Sequence, residues 1–175
     1  MLAARHALTL AQRRAAADAI TAAVLDSEPV RTLSSGAVVA AYVSMATEPA
    51  TGELLRALTA RGYDVVLPVL RPDRALDWSR LRAPGTVLDP DAIETASLVL
   101  VPALACAEDG TRLGRGGGSY DRSLARLPAG VPTCALLYDG ELVPALPHDP
   151  HDVPVTAGCL PSAGWVTLTG TGAAR

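Results

Sequence analysis

Phenylalanine is absent from this 175-residue chain, and aromatic residues of all kinds make up only 3% of it, so leucine, valine and alanine must fill any core. Cysteine is scarce as well. Cys106, Cys134 and Cys159 are odd in number and far apart, which provides neither a disulfide framework nor a Cys-x-x-Cys metal site and points to a reducing, cytoplasmic compartment. No stretch approaches the roughly 18 uninterrupted apolar residues of a membrane span. The first twenty residues carry Arg13, Arg14 and Asp18 in place of the continuous apolar segment of a secretory signal. A basic excess is also missing: the net charge of −3 argues against a general nucleic-acid binder, while leaving room for a local basic pocket.

What is present reads as a compact globular chain rich in turns. Hydrophobic residues make up 49%, with 14 prolines and 15 glycines, and the length suits a single domain spanning residues 1–175. Apolar residues at helical spacing predict one amphipathic helix from Leu2 to Leu25. Gly36 to Val43 predicts a buried strand, Glu53 to Arg61 a helix ended by Gly62, and Tyr63 to Leu70 a second strand. A short strand over Asp77 to Leu81 precedes a mostly looped stretch from Arg82 to Ala96. Leu98 to Leu104 and Thr133 to Tyr138 are further strands, and a proline-dotted tail follows. Alternation of strands and helices predicts an α/β fold: three layers, with a mostly parallel sheet between helices on both faces. Ligands in such sheets bind beyond the carboxyl ends of the strands.

The run from Arg112 to Arg122 carries the most chemistry, because four glycines, three arginines and Asp121 follow an apolar strand. Glycine lets main-chain N–H groups approach an anion with no Cβ in the way, and guanidinium groups at Arg112, Arg115 and Arg122 suit phosphate. A helix is expected from about Ser119, which has an N-cap side chain. The run lacks the Gly-Lys-Ser/Thr ending of a Walker loop and the downstream acidic residue of a dinucleotide fold. A glycine-rich surface turn is the plain alternative, but such a turn has no need of the arginines.

Other polar residues fall where strands end. Glu48 follows the first strand, where a helix-start charge is the competing reading. Tyr138 and Asp139 follow the Thr133 strand. His148 to Asp152 holds two histidines and two carboxylates, but Pro150 prevents a helix that would align the histidines, and Asp152 suits a hard Mg²⁺ ion. Trp78 and Trp165 read as core or pocket-wall residues, Trp78 being the better of the two to face a flat ligand.

Taken in order, Ser44 to Thr51 (Ser-x-x-x-Glu-x-x-Thr), the strand ending Leu-Pro-Val, the VLVPAL strand, Asp-Gly-Thr-Arg-Leu-Gly-Arg-Gly-Gly-Gly-Ser-Tyr-Asp-Arg and Leu-Pro-x-x-x-His-Asp resemble the 5-formyltetrahydrofolate cyclo-ligase family, also called 5,10-methenyltetrahydrofolate synthetase. The resemblance covers nearly the whole chain. It implies ATP- and Mg²⁺-dependent closure of 5-formyltetrahydrofolate to 5,10-methenyltetrahydrofolate, with release of ADP and phosphate, by a cytoplasmic enzyme that is a monomer or weak homodimer and binds neither nucleic acid nor membrane. It further implies ATP contacts at Arg5, Arg13, Arg112, Leu113, Gly114, Arg115, Gly116, Gly117, Gly118, Ser119 and Tyr120. It implies folate contacts at Val43 and Glu48, with Gly116 to Tyr120 shared between the two ligands; Trp78 is added as a substrate contact from the reading of the tryptophans. Asp121 and Asp152 are the implied Mg²⁺ ligands, and Arg115 and Asp121 the catalytic pair. The chain departs from the family's usual residues at Met1, Ala4, Cys106, Ser119 and Glu141, where lysine, leucine, phenylalanine, an aromatic and glutamine are common. A catalytically weak binding relative, or a sugar-phosphate or CoA-processing enzyme on a similar sheet, are the alternatives.

Overall fold

The structure is a computed structural model, and residues 1–169 are described. Its alanine-rich start folds as two helices, α1 (Leu2–Ala7) and α2 (Leu10–Asp26), where one was expected. The break falls at Thr9. Its hydroxyl accepts from the Gln12 N–H at 3.2 Å, and the Gln12 side-chain oxygen accepts from the Thr9 N–H at 2.9 Å. This Thr-x-x-Gln capping box starts a new helix and overrides the continuous apolar spacing.

The chain continues through α3 (Glu28–Arg31), β1 (Val38–Ala40), α4 (Gly52–Ala60), β2 (Asp64–Leu70), β3 (Leu76–Arg80) and β4 (Val87–Leu88). A 3-10 helix (Pro90–Thr95) leads into β5 (Ala96–Pro102), β6 (Ala105–Ala107), β7 (Arg112–Leu113), α5 (Ser119–Leu124), β8 (Thr133–Leu136), β9 (Leu142–Val143), β10 (Ala157–Leu160) and β11 (Gly164–Thr167). The main sheet has the order β11-β10-β8-β5-β1-β2-β3-β4. Its central strands from β10 to β2 are parallel, and β3, β4 and β11 are antiparallel at the edges. Strands β10 and β11 lie in the tail that was read without strands. Ala-Gly-Cys-Leu carries no β-branched residue, so its strand character comes from pairing with β8, which sets Gly158 opposite Ala135.

Both faces of the sheet are covered. Ile20, Val24, Val30, Leu54 and Leu58 from α2, α3 and α4 pack on Val39, Val65, Leu98 and Leu100. Neighbouring residues Ala40, Val66, Val99 and Val101 point to the other face and meet Ile93 of the 3-10 helix and Leu124 of α5. The alternation along each strand therefore produces the three layers.

All three cysteines are free and buried. Burial pushes the Cys106 thiol from its ordinary 9.0 up to about 11, and Cys134 and Cys159 are raised as well. The unfolded chain therefore sheds thiol protons first. This stabilising difference is complete below about 9 and is lost as pH climbs through 9.0 toward 11. Denaturant midpoints should fall over that window. A thiol-specific disulfide reagent should leave the native chain unmodified at neutral pH; immediate reaction would contradict the burial.

Candidate active site

Strand β1 has β2 on one side and β5 on the other, so the chain reverses its winding direction there, the position at which sheets of this kind bind ligands beyond the strands' carboxyl ends. The loop leaving β1 is tied into one shape. The Ser44 N–H donates to Thr51 Oγ1 (3.0 Å), the Thr51 N–H to Ser44 Oγ (3.2 Å), and the Thr51 hydroxyl to the Tyr42 carbonyl (2.8 Å). Glu48, only 7% exposed, turns inward and accepts from the Met45 N–H at 2.7 Å. Val43 and Met45 stand exposed beside it. The hydroxyls of Tyr42 and Tyr120 are buried without a hydrogen-bond partner among the described residues. Burial, and next the Glu48 charge, raise the pKa of both tyrosines, so each remains a protonated donor.

Beyond β5 the chain forms the β6–β7 hairpin of a small sheet, β7-β6-β9, before reaching the glycines. The expected passage from strand directly into glycine loop is thus interrupted by a hairpin, which carries Arg112 to the loop's base. There Arg112 donates to Asp121 Oδ1 at 2.5 Å, and the Val153 N–H donates to the same oxygen at 3.2 Å. Leu113 is partly exposed, and Gly114 to Gly118 follow it. Gly116 and Gly118 have φ of 81° and 60°, the left-handed region that glycine tolerates. Gly118, not Ser119, is the residue before α5; Ser119 is the first helical residue and its side chain caps nothing. Helix α5 has only six residues. Arg115 reaches from the loop to within 3.8 Å of Glu48 Oε1, with half its side chain exposed.

The donor set fits a magnesium ion. The Val153 contact sets Asp121 beside the residue that follows Asp152. Asp152 Oδ2 accepts from the Asp149 N–H at 2.8 Å. Each carboxylate thus has one oxygen engaged by main chain and another to offer, a hard-oxygen pair of the kind that Mg²⁺ shares with phosphate and water. His148 and His151 are exposed, and among the described residues no group of three or more metal-binding side chains occurs.

Three expected contacts are placed elsewhere. Trp78 is fully buried in the second core cluster, because it shares the inward face of β3 with Leu76. It cannot face a ligand there. Arg5 is 1% exposed and held by Glu141, so its guanidinium is buried against protein acceptors beneath the loops at the carboxyl ends of β5 and β8. Arg13 donates to the main-chain oxygens of Arg5, Leu8 and Ala46 and thereby ties the start of α2 to the Glu48 loop. Tyr42 and Glu141 were missed as structural partners of the site. Nothing in the local sequence pairs Glu141 with Arg5, 136 positions away.

Glycines, arginines and carboxylates gathered beyond the carboxyl ends of a mostly parallel sheet are the features of the class, an α/β enzyme. The chain belongs to the 5-formyltetrahydrofolate cyclo-ligase family, whose model matches residues 1–161. It is 39% identical over 153 residues to a Mycolicibacterium smegmatis 5-formyltetrahydrofolate cyclo-ligase, covering 77% of this chain and 78% of that one. Against the Escherichia coli cyclo-ligase it is 33% identical over 149 residues, covering 73% and 79%. In fold it is similar to the 5,10-methenyltetrahydrofolate synthetases of Aquifex aeolicus and Mycoplasma pneumoniae. Their TM-scores are 0.75 and 0.71 at 20% and 22% identity, with 99% and 88% of this chain and 90% of each of those covered. No helix among the described residues is long and apolar enough to cross a membrane.

Proposed function

We propose that this chain closes 5-formyltetrahydrofolate to 5,10-methenyltetrahydrofolate at the expense of ATP, in the cytoplasm and with Mg²⁺. The observation that carries this reading is the 3.8 Å approach of Arg115 to Glu48, which sets the phosphate-binding loop against the loop leaving β1. Two ligands bound on those loops would meet. A formamide oxygen is a poor leaving group. Transfer of the γ-phosphoryl to it makes a phosphate ester, N10 attacks the activated carbon, and phosphate departs with its bonding electrons. Such chemistry asks the protein for alignment and charge dispersal and needs no protein nucleophile.

In this reading Arg112 to Tyr120 hold the triphosphate through loop N–H groups, and Arg115 faces the charge that grows on the transferred phosphoryl. Glu48 and Val43 receive the folate, with Glu48 accepting from the pterin's N–H groups. The neutral Tyr42 and Tyr120 hydroxyls add donors near the same carboxylate. Asp121 and Asp152 would hold Mg²⁺, which neutralises phosphate oxygens. Neither Arg5 nor Arg13 is assigned a nucleotide contact, because their guanidinium groups are engaged with protein acceptors.

Purified protein given 5-formyltetrahydrofolate and MgATP should develop the absorbance of the methenyl product, and omission of either ATP or Mg²⁺ should abolish it. Absence of product with both ligands bound would reduce the chain to a binding relative. Failure to bind either ligand would overturn the assignment.

A further inference from the structure

The N-terminal helices reach the Glu48 loop through a chain of buried polar contacts. Arg5 donates from Nε to Glu141 Oε1 at 2.6 Å, and from Nη2 to Glu141 Oε2 at 2.7 Å and to the Ala103 carbonyl at 2.6 Å. Its guanidinium carbon lies 5.6 Å from the centre of the Tyr138 ring. Glu141 Oε2 also accepts the Tyr138 N–H at 2.8 Å, and the Tyr138 hydroxyl donates to the Glu48 carbonyl at 3.2 Å. Ala103 and Tyr138 follow β5 and β8, neighbouring strands of the sheet. One ion pair therefore fixes the ends of two central strands and orients the side chain that anchors the main chain of Glu48.

Stability alone is a poor reason for such a pair. Desolvation of two charges commonly cancels their attraction, and apolar replacements of similar volume are often as stable. Here burial works against the Arg5 charge and is outweighed by the hydrogen bond and charge of Glu141, so the Arg5 pKa is raised. What an apolar pair could not supply is direction: three donors on one carboxylate set the Tyr138 main chain and ring together.

Resting on the reading of Glu48 as a substrate contact, we infer that Arg5 and Glu141 are positioning residues. Through Tyr138 they hold the Glu48 loop in its binding shape, and they act on the folate rather than on the nucleotide. The test uses Tyr138→Phe, which removes one hydroxyl and strands no charge, together with Glu141→Gln. Amide hydrogen exchange of residues 43–51 in the ligand-free protein should quicken about fivefold in Tyr138→Phe, the value of one ordinary hydrogen bond. The KM for 5-formyltetrahydrofolate should rise by about the same factor, with the KM for ATP unchanged. Glu141→Gln should act in the same direction, and the double variant should lose less than the two singles together.

Unchanged exchange in Tyr138→Phe overturns the inference. An equal rise in both KM values overturns it too, since a merely structural role would disturb both ligands. Should Glu141→Gln fail to fold, Tyr138→Phe decides alone. A wild-type protein inert toward folate would refute the cyclo-ligase reading, and the exchange result would still judge the positioning role.

Discussion

Asp121→Asn should lower the rate of methenyl product formation by about 100-fold or more, the scale on which electrostatic groups at a reacting centre are felt. Asparagine retains an oxygen for the Arg112 guanidinium and the Val153 N–H, so the packing of the loop's base survives. What it removes is a negative charge. In the proposed site that charge helps hold Mg²⁺, so the magnesium concentration needed for half-maximal rate should rise in the same variant. Asp121→Ala is the cruder experiment, because it also leaves the nearly buried Arg112 without its carboxylate, a change that destabilises. Rates at saturating ligands, paired with thermal midpoints, separate the two effects. A wild-type rate in Asp121→Asn would remove Asp121 from the reaction.

The second large effect is expected on stability. Gly110 ends the turn of the β6–β7 hairpin with φ of 89°, and a Cβ built there would lie 2.3 Å from the Val155 carbonyl oxygen. The obstacle is backbone, held in place by the Val155 N–H bond to the Gly110 carbonyl at 2.9 Å. A side chain at this position costs roughly 1–2 kcal/mol for the left-handed conformation and about 1–3 kcal/mol for displacing well-packed neighbours. At roughly 2–4 °C per kcal/mol for a domain of this size, Gly110→Ala should drop the melting temperature by about 5–15 °C. Activity should fall as well, because the hairpin sets Arg112 beneath the glycine loop. Gly85→Ala is a useful control, having a comparable φ of 97° with no atom within 4 Å of the built Cβ. A melting temperature unchanged in Gly110→Ala would show that the hairpin does not need this close approach.

How much was readable beforehand depended on whether a signal was local. The strands β1, β2, β3, β5 and β8 and the helix α4 each fell within the expected stretches, give or take a few residues, because apolar runs and their bounding glycines and prolines are neighbours in sequence. Strand β1 came out shorter than its apolar run, since after Ala40 the chain leaves the ladder to form the Glu48 loop. The capping box at Thr9 was equally local, but the unbroken alanine pattern concealed it. The tail strands β10 and β11 could not be found this way, for their residues become strand only by pairing with β8 and with each other.

The same division runs through the site. Glycines, arginines and Asp121 sit within eleven positions, so the sequence alone singles out this run as a candidate site, with a surface turn as the alternative reading. Trp78 and Arg5 show the converse. A tryptophan's size or an arginine's charge says what it can do, and only the fold decides whether it meets solvent or the interior. Alternation along β3 turned Trp78 inward, and Glu141 holds Arg5 buried. By itself, then, the sequence determined the alternating architecture, the place of the glycine-rich loop in the chain, and the family. The tertiary structure alone decided which arginines are buried, that Arg115 meets Glu48, and that Arg5, Glu141 and Tyr138 form one path. The physical reason is reach: hydrogen bonds and ion pairs act over a few ångströms, and those that join distant segments exist only once the sheet has brought the segments together.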